Sequence, residues 1–176
     1  MEKVVVETAV HAVKIEGGAD AAKLIRESGV LGIAIMAHIG LNPKRLNDLA
    51  LRVQGTNWEE LTKLLKAAGQ VEAAEAYAIL RDAVTEKAAT CITERLSIPT
   101  IGIGSGRKCD GAGLVSLDLL GITGGRVPKF AKQYLRAKED FTDAFRCFVN
   151  DVQEGRFPGP EHVYHMSSEL ICRKPG

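Results

Sequence analysis

The sequence predicts an α/β protein built on a parallel sheet, and three observations lead there. Short apolar runs alternate along the chain with longer amphipathic segments, the signature of β-α-β units. The longer segments carry apolar residues at helical spacing, as Leu61, Leu64 and Leu65 do. The short runs repeat one design: an apolar side, and an opposite side that ends in a charged group, a histidine or a glycine.

Strands are expected over 11–16 (HAVKIE), 32–38 (GIAIMAH), 76–81 (AYAILR), 99–104 (PTIGIG) and 113–118 (GLVSLD). Helices are expected over 19–28, over 57–74 with Asn57 as N-cap, and over 85–96 with Thr85 as N-cap. Residues 128–157 read as two further helices, with Phe141, Phe145 and Phe148 on one face. The end, FPGPEHVYHMSSELICRKPG, is rich in Pro and Gly and reads as irregular chain wrapping over the surface or a neighbouring subunit. No internal repeat or low-complexity tract interrupts the pattern, and residues 1–176 are expected to form a single domain, with 129–176 as its C-terminal helices and tail.

Bulk properties exclude several classes. The chain has 176 residues, 45% hydrophobic and 26% charged, with a formal net charge of +1. That balance gives no electrostatic reason to expect nucleic acid or an anionic membrane as partner. No apolar stretch approaches the ~20 residues that span a bilayer. The N-terminus, MEKVVVETAV, is acidic and lacks arginine, unlike a signal or transit peptide. The four cysteines, Cys91, Cys109, Cys147 and Cys172, are widely spaced with no C-x-x-C pair, which points to free structural thiols in a reducing, cytoplasmic compartment.

Strand periodicity assigns the faces. Val13 and Ile15 suit packing under helices, while Ala12, Lys14 and Glu16 point the other way. Ile33 and Ile35 take the helix side, and Ala34, Met36 and His38 the opposite face. Ala78, Leu80 and Asp82 line up in the same manner, with Arg81 on the helix side. The fourth strand is expected to turn Ile101 and Ile103 to the helices and to leave Gly102 and Gly104 on the inner face. Lys14, Glu16, His38 and Asp82 thus share one face at the C-terminal strand ends, where parallel α/β folds place their chemistry. Taken singly, each has a plainer reading: a structural ion pair for Lys14 and Glu16, a core histidine, and a helix cap for Asp82.

The stretch IGIGSGRKCDG, 101–111, is not a P-loop, because Lys108 does not follow the Walker spacing. Its glycines could admit a ligand close to the backbone, cradle a phosphate, or only relieve crowding.

HAVKIEGG, IMAHIGLNPKRLN, RVQG, LSIPTIGIGSGRKCDG, LVSLDLLGI, PKFAKQY and FPGPEHVYH occur in the order and spacing of one family. Over essentially its whole length the chain resembles the ketopantoate (3-methyl-2-oxobutanoate) hydroxymethyltransferases. The resemblance implies a parallel (β/α) barrel of the TIM type, incomplete here, with about the last five of eight β-α units and extra C-terminal helices. It implies condensation of 3-methyl-2-oxobutanoate with the one-carbon unit of 5,10-methylenetetrahydrofolate to give 2-dehydropantoate, an early step of pantothenate biosynthesis, through a Mg2+-stabilised enolate. It implies Lys14 and His38 beside the keto acid, Glu16 in the Mg2+ site directly or through water, Asp82 as the catalytic base, and a homo-oligomer.

The residue types suit that chemistry. Enolisation builds negative charge that a dication and a lysine would stabilise. Mg2+ prefers oxygen ligands such as a glutamate and keeps several waters. A carboxylate base must reach the C3 proton at hydrogen-bond distance.

The chain also departs from the family. The family's first three β-α units, with two aspartates and a serine of the site, have no counterpart, and MEKVVVETAV resembles the end of the helix before the fourth strand. Asp82 stands for a glutamate, which retracts the carboxylate by about 1.5 Å on a fixed backbone, and a displacement of ~1 Å can cost ~100-fold in rate. Arg81 stands where the family has leucine, Ala37 replaces a glycine beside His38, and DAVT replaces ECVP. Two other expectations follow: a non-catalytic chain that only assembles with family subunits, or a barrel lyase or aldolase acting on a related 2-keto acid.

Overall fold

The computed structural model describes residues 10–41 and 52–165. The N-terminal segment compared above with a helix end, and Cys172, lie outside these residues. Two compact units are formed: one by Met1–Val115 with Pro128–Ala131, the other by Ser116–Val127 with Lys132–Gly176.

The first unit is a five-stranded parallel sheet flanked by helices. Strands β1 (Ala12–Glu16), β2 (Ala34–Gly40), β3 (Ala78–Asp82), β4 (Thr100–Ile103) and β5 (Gly111–Ala112) lie side by side in chain order. Neighbours are parallel throughout. Helices α1 (Ala22–Val30), α2 (Trp58–Ala73) and α3 (Glu86–Thr93) form the crossovers that parallel pairing demands. A short 3-10 turn, Gly18–Ala21, leads into α1.

The core lies between sheet and helices. Ile35, Ala37, Ile39 and Ile79 from the strands pack with Ile25 of α1, Val71 of α2 and Ile92 of α3. Each fully buried isoleucine contributes roughly 1.5–3 kcal/mol of transfer free energy. Val13 and Ile15 of the edge strand β1 are only partly buried against the same cluster.

Local chemistry sets the helix ends. Asn57 caps α2 as expected, its Oδ1 accepting from Glu60 N–H at 2.9 Å. At the other end Glu75 takes φ +68°, and the Ala76 and Glu75 amides donate to the Val71 and Glu72 carbonyls, the Schellman pattern on a residue other than glycine. Thr85 precedes α3 but makes no side-chain cap; its hydroxyl donates instead to the Gly55 carbonyl at 2.6 Å.

Three expectations are corrected. The fifth strand is Gly111–Ala112, and 113–118 is not a strand: Ser116–Leu119 is a short helix, α4, because Asp118 and Thr123 bond to each other and close a turn. Residues 128–157 hold one helix, α5 (Ala137–Gln153), rather than two. The segment before it is held by its backbone to the α4 region, with Tyr134 N–H donating to Leu119 O and Ala137 N–H to Leu120 O.

The third correction concerns β4. Parallel partners in register share a face, and Gly102 pairs with Arg81 while Ile101 pairs with Leu80 and Ile103 with Asp82. Ile101 and Ile103 therefore stand on the face of Lys14, Glu16, His38 and Asp82, and Gly102 lies on the helix side. The physical reason is Cys109: a Cβ on Gly102 would lie 2.6 Å from its Sγ, so only glycine fits beneath it.

The second unit contains α4 and α5. Phe141, Phe145 and Phe148 follow the 4, 3 spacing of one helix face and are each more than half exposed. The Phe148 and Phe157 rings pack edge to face, with 5.5 Å between centroids. No helix among the described residues is long and apolar enough to cross a membrane.

Candidate active site

The register gathers the site. Glu16 of β1 is the in-register partner of His38 of β2, and Lys14 is that of Met36. Asp82 closes β3 opposite Gly40 of β2. The four candidates thus occupy one face of three adjacent strands, at or near their C-terminal ends.

Their environments differ sharply. Lys14 is exposed, Asp82 is partly buried and His38 is 5% exposed. Glu16 Oε1 lies 3.8 Å from His38 Nδ1, too long for a hydrogen bond. Among the described residues, Glu16 Oε2 and both ring nitrogens of His38 are buried with no hydrogen-bond partner. Unsatisfied buried polar atoms are costly, so three in one place make this part of the sheet face a candidate to take a polar ligand.

Burial, followed by the charge of Lys14, holds His38 below its ordinary value of 6.5, although Asp82, Glu16 and the Leu41 backbone pull the other way. The ring is therefore neutral at neutral pH. Burial raises Asp82 above its ordinary 3.8, against the attraction of His38 and Lys14. A carboxyl pushed upward is a stronger base than an exposed one, the direction a proton-abstracting group needs.

A cavity of about 440 Å³ opens beside Glu16 and His38, within the range of small-molecule sites. Gly17, Gly18, Arg52 and Gln54 are among its other lining residues; Lys14 and Asp82 are not. The wall around Gln54 is fixed by β3: Gln54 N–H donates to Ala83 O at 2.7 Å, and Thr85 N–H to Gln54 O at 2.9 Å. Glu60 braces it, accepting from the Thr56 amide and hydroxyl and pairing with Arg52 at 2.9 Å.

Sequence reasoning did not single out Arg52, Gln54 or Glu60 as cavity residues. They lie outside the strands, Gln54 in an isolated bridge to Val84 and Glu60 in α2, so strand periodicity gave no signal for them. Among the described residues no group of three or more His, Cys, Asp or Glu is placed to hold a metal ion. Glu16, with a buried oxygen that has no hydrogen-bond partner among the described residues, fits as one oxygen ligand of a hard cation.

Fold and site together define a parallel α/β protein with a carboxylate- and imidazole-lined face at its strand ends. Residues 1–160 match the family model described as ketopantoate hydroxymethyltransferase. The chain is 41% identical over 160 residues to the 3-methyl-2-oxobutanoate hydroxymethyltransferase of Kosmotoga olearia, covering 90% of this chain and 60% of that protein. Its identity to the enzyme of that name from Enterococcus faecalis is 39% over 170 residues, covering 96% and 62%. For the Streptomyces coelicolor protein it is 42% over 163 residues, covering 93% and 56%. The chain belongs to the ketopantoate hydroxymethyltransferase family, and it spans about 60% of the length of these curated relatives. A chain in the crystal structure of the Amycolatopsis orientalis BexX/CysO complex is similar at 12% identity and a TM-score of 0.47, covering 89% of this chain and 63% of that one, a likeness that carries no argument.

Proposed function

We propose that this chain carries the enolising part of a hydroxymethyltransferase, acting on 3-methyl-2-oxobutanoate and the one-carbon unit of 5,10-methylenetetrahydrofolate to form 2-dehydropantoate. The observation that carries the reading is the placing of Lys14, Glu16, His38 and Asp82 on one sheet face, where buried atoms of Glu16 and His38 have no hydrogen-bond partner among the described residues. The sequential parallel order of the five strands suits five consecutive units of a (β/α) barrel.

In this reading the Asp82 carboxylate takes the C3 proton, helped by the burial that raises its basicity. The resulting carbanion, delocalised onto the keto oxygen, forms the new C–C bond to the one-carbon unit. Water breaks that carbon's two bonds to folate nitrogen and supplies the product's hydroxyl oxygen, and tetrahydrofolate leaves. Lys14 attracts the keto acid's oxygens electrostatically, and neutral His38 offers them an N–H donor without adding charge. Glu16 would hold Mg2+, which when bound supplies positive charge for the keto and carboxylate oxygens. The active assembly in this reading is a homo-oligomer.

The test is exchange of the C3 proton of 3-methyl-2-oxobutanoate in D2O with Mg2+, which needs no folate. Exchange that disappears in Asp82→Ala and Glu16→Gln supports the reading; a folded chain without exchange overturns it. One observation favours a second reading. With no cluster of three metal-ligating residues among those described, the chain would serve as a non-catalytic subunit completed by another polypeptide. Exchange that arises only on mixing with a full-length relative selects that reading.

A further inference from the structure

The glycine stretch 101–111 finds no use in the reaction as described, and the cavity beside Glu16 does not include it. Within it, Ser105 is 2% exposed. The Ser105 hydroxyl lies 2.9 Å from Arg81 O and 3.2 Å from Ile103 O as a donor, and 3.3 Å from Val84 N–H as an acceptor. Arg81 and Val84 flank two residues, Asp82 and Ala83. One buried hydroxyl therefore grips the chain on both sides of the candidate base.

What it grips is strained. Ala83 has φ +50°, a left-handed conformation that side-chain-bearing residues seldom adopt and that surrounding contacts must enforce. Those contacts converge on it. Asp82 O accepts from Leu41 N–H at 2.9 Å, Ala83 N–H donates to Ile103 O at 2.9 Å, and Ala83 O accepts from Gln54 N–H. Ser105 adds the tie that spans the kink.

The glycines around Ser105 serve this placement. Gly104 (φ +59°) lies against the Phe130 ring, where a Cβ would come within 2.5 Å, and Gly106 (φ +77°) lies against Glu86, within 2.6 Å. Arg107 then pairs with Glu86 at 2.8 Å, so the turn is fastened to the first residue of α3. A side chain on either glycine would push Ser105 away from the end of β3.

We propose that Ser105 is a positioning residue for Asp82: its hydroxyl, seated by Gly104 and Gly106, locks the Asp82–Ala83 kink and so holds the Asp82 carboxylate in its partly buried place. The assignment of Asp82 as base rests on the function proposed above; the grip itself does not.

The test uses the full chain with 13C-labelled Asp and Glu carboxyls, comparing wild type with Ser105→Ala. The variant is expected to lower the Asp82 titration midpoint toward that of a free aspartate, as the loosened carboxyl gains water. Glu72, held by Ser97 far along the chain, is expected to titrate as before. Exchange of the C3 proton at saturating keto acid is expected to fall about 10- to 100-fold, with KM little changed. An Asp82 titration that does not move in the folded variant overturns the proposal, and so does one that moves while exchange stays at the wild-type rate. If the wild type shows no exchange, the functional reading falls, and the titration alone decides whether Ser105 holds Asp82. Where Ser105→Ala does not fold, Ser105→Cys carries the same test, with a smaller shift of the same sign expected.

Discussion

Glu16 and His38 are in-register neighbours on β1 and β2, yet Glu16 Oε1 stands 3.8 Å from His38 Nδ1, and among the described residues the imidazole has no hydrogen-bond partner. This near-miss fixes how stability responds to acid. Because burial and Lys14 depress His38 in the folded state, the unfolded chain binds the proton more readily. Stability is therefore complete above pH 6.5, declines as pH falls through that value, and levels off below the folded-state midpoint. Urea midpoints measured from pH 7.5 downward are expected to follow that course. They are expected to decline less in His38→Gln; an equal decline in both proteins rules His38 out as the cause.

Asp82 works in the opposite sense. Its folded-state value lies above 3.8, so its contribution is most favourable below pH 3.8 and is lost as pH rises through the folded value. At neutral pH the buried charge is a cost. Asp82→Asn is expected to raise Tm at pH 7, with the gain fading as pH falls through the folded-state value and gone by about pH 3.8, while C3-proton exchange is lost. A lower Tm at pH 7 would count against the burial argument.

Gly40 sits against the backbone of the same residue. With φ +95°, it would place a Cβ 2.3 Å from Asp82 O and 3.0 Å from Val84 Cγ2. The first obstacle is main chain, which cannot swing aside. Gly40→Ala is expected to lose more than about 2 kcal/mol in urea unfolding, combining a strained φ with overpacking. A loss under half that size would mean that β2 and β3 can separate at their ends.

Arg81 is a further liability in the core. It is 0% exposed, donates to Ala89 O, to Thr93 Oγ1 at 2.9 Å and to Cys109 Sγ at 2.8 Å, and its Nε has no partner among the described residues. No carboxylate pairs with it among the described residues. Its partners survive without it: Thr93 Oγ1 also bonds Ala89 O and Thr100 Oγ1 at 3.1 Å. Arg81→Met, which keeps most of the volume, is expected to be neutral or up to about 3 kcal/mol more stable in urea. A loss of stability would show that the three donated bonds outweigh the buried charge.

Much of the site was legible because β-structure has a rigid period. Once HAVKIE, GIAIMAH and AYAILR are strands, Lys14 with Glu16, His38 and Asp82 must fall on alternate positions, and the apolar sides fix which face the helices cover. The fourth strand defeated the same reasoning. In TIGI both faces offer small or aliphatic residues, so alternation alone could not tell Ile101 from Gly102; the choice came from Arg81 and Cys109 meeting behind the sheet. GLVSLD misled for a related reason: an apolar run that short fits a strand or a helical turn, and the Thr123–Asp118 bond selected the turn.

The sequence by itself determined the parallel α/β order, the family, and the face on which Lys14, Glu16, His38 and Asp82 lie, because each depends on periodicity or contiguous motifs. Tertiary structure alone decided that His38 is buried, that Gln54 and Arg52 wall the cavity, and that Ser105 grips the chain on either side of Asp82. Those relations join residues far apart in the chain, Ser105 to Arg81 across 24 positions and Gln54 to Ala83 across 29. No local pattern encodes them; they exist only once the strands are in register and the loops have closed over their ends.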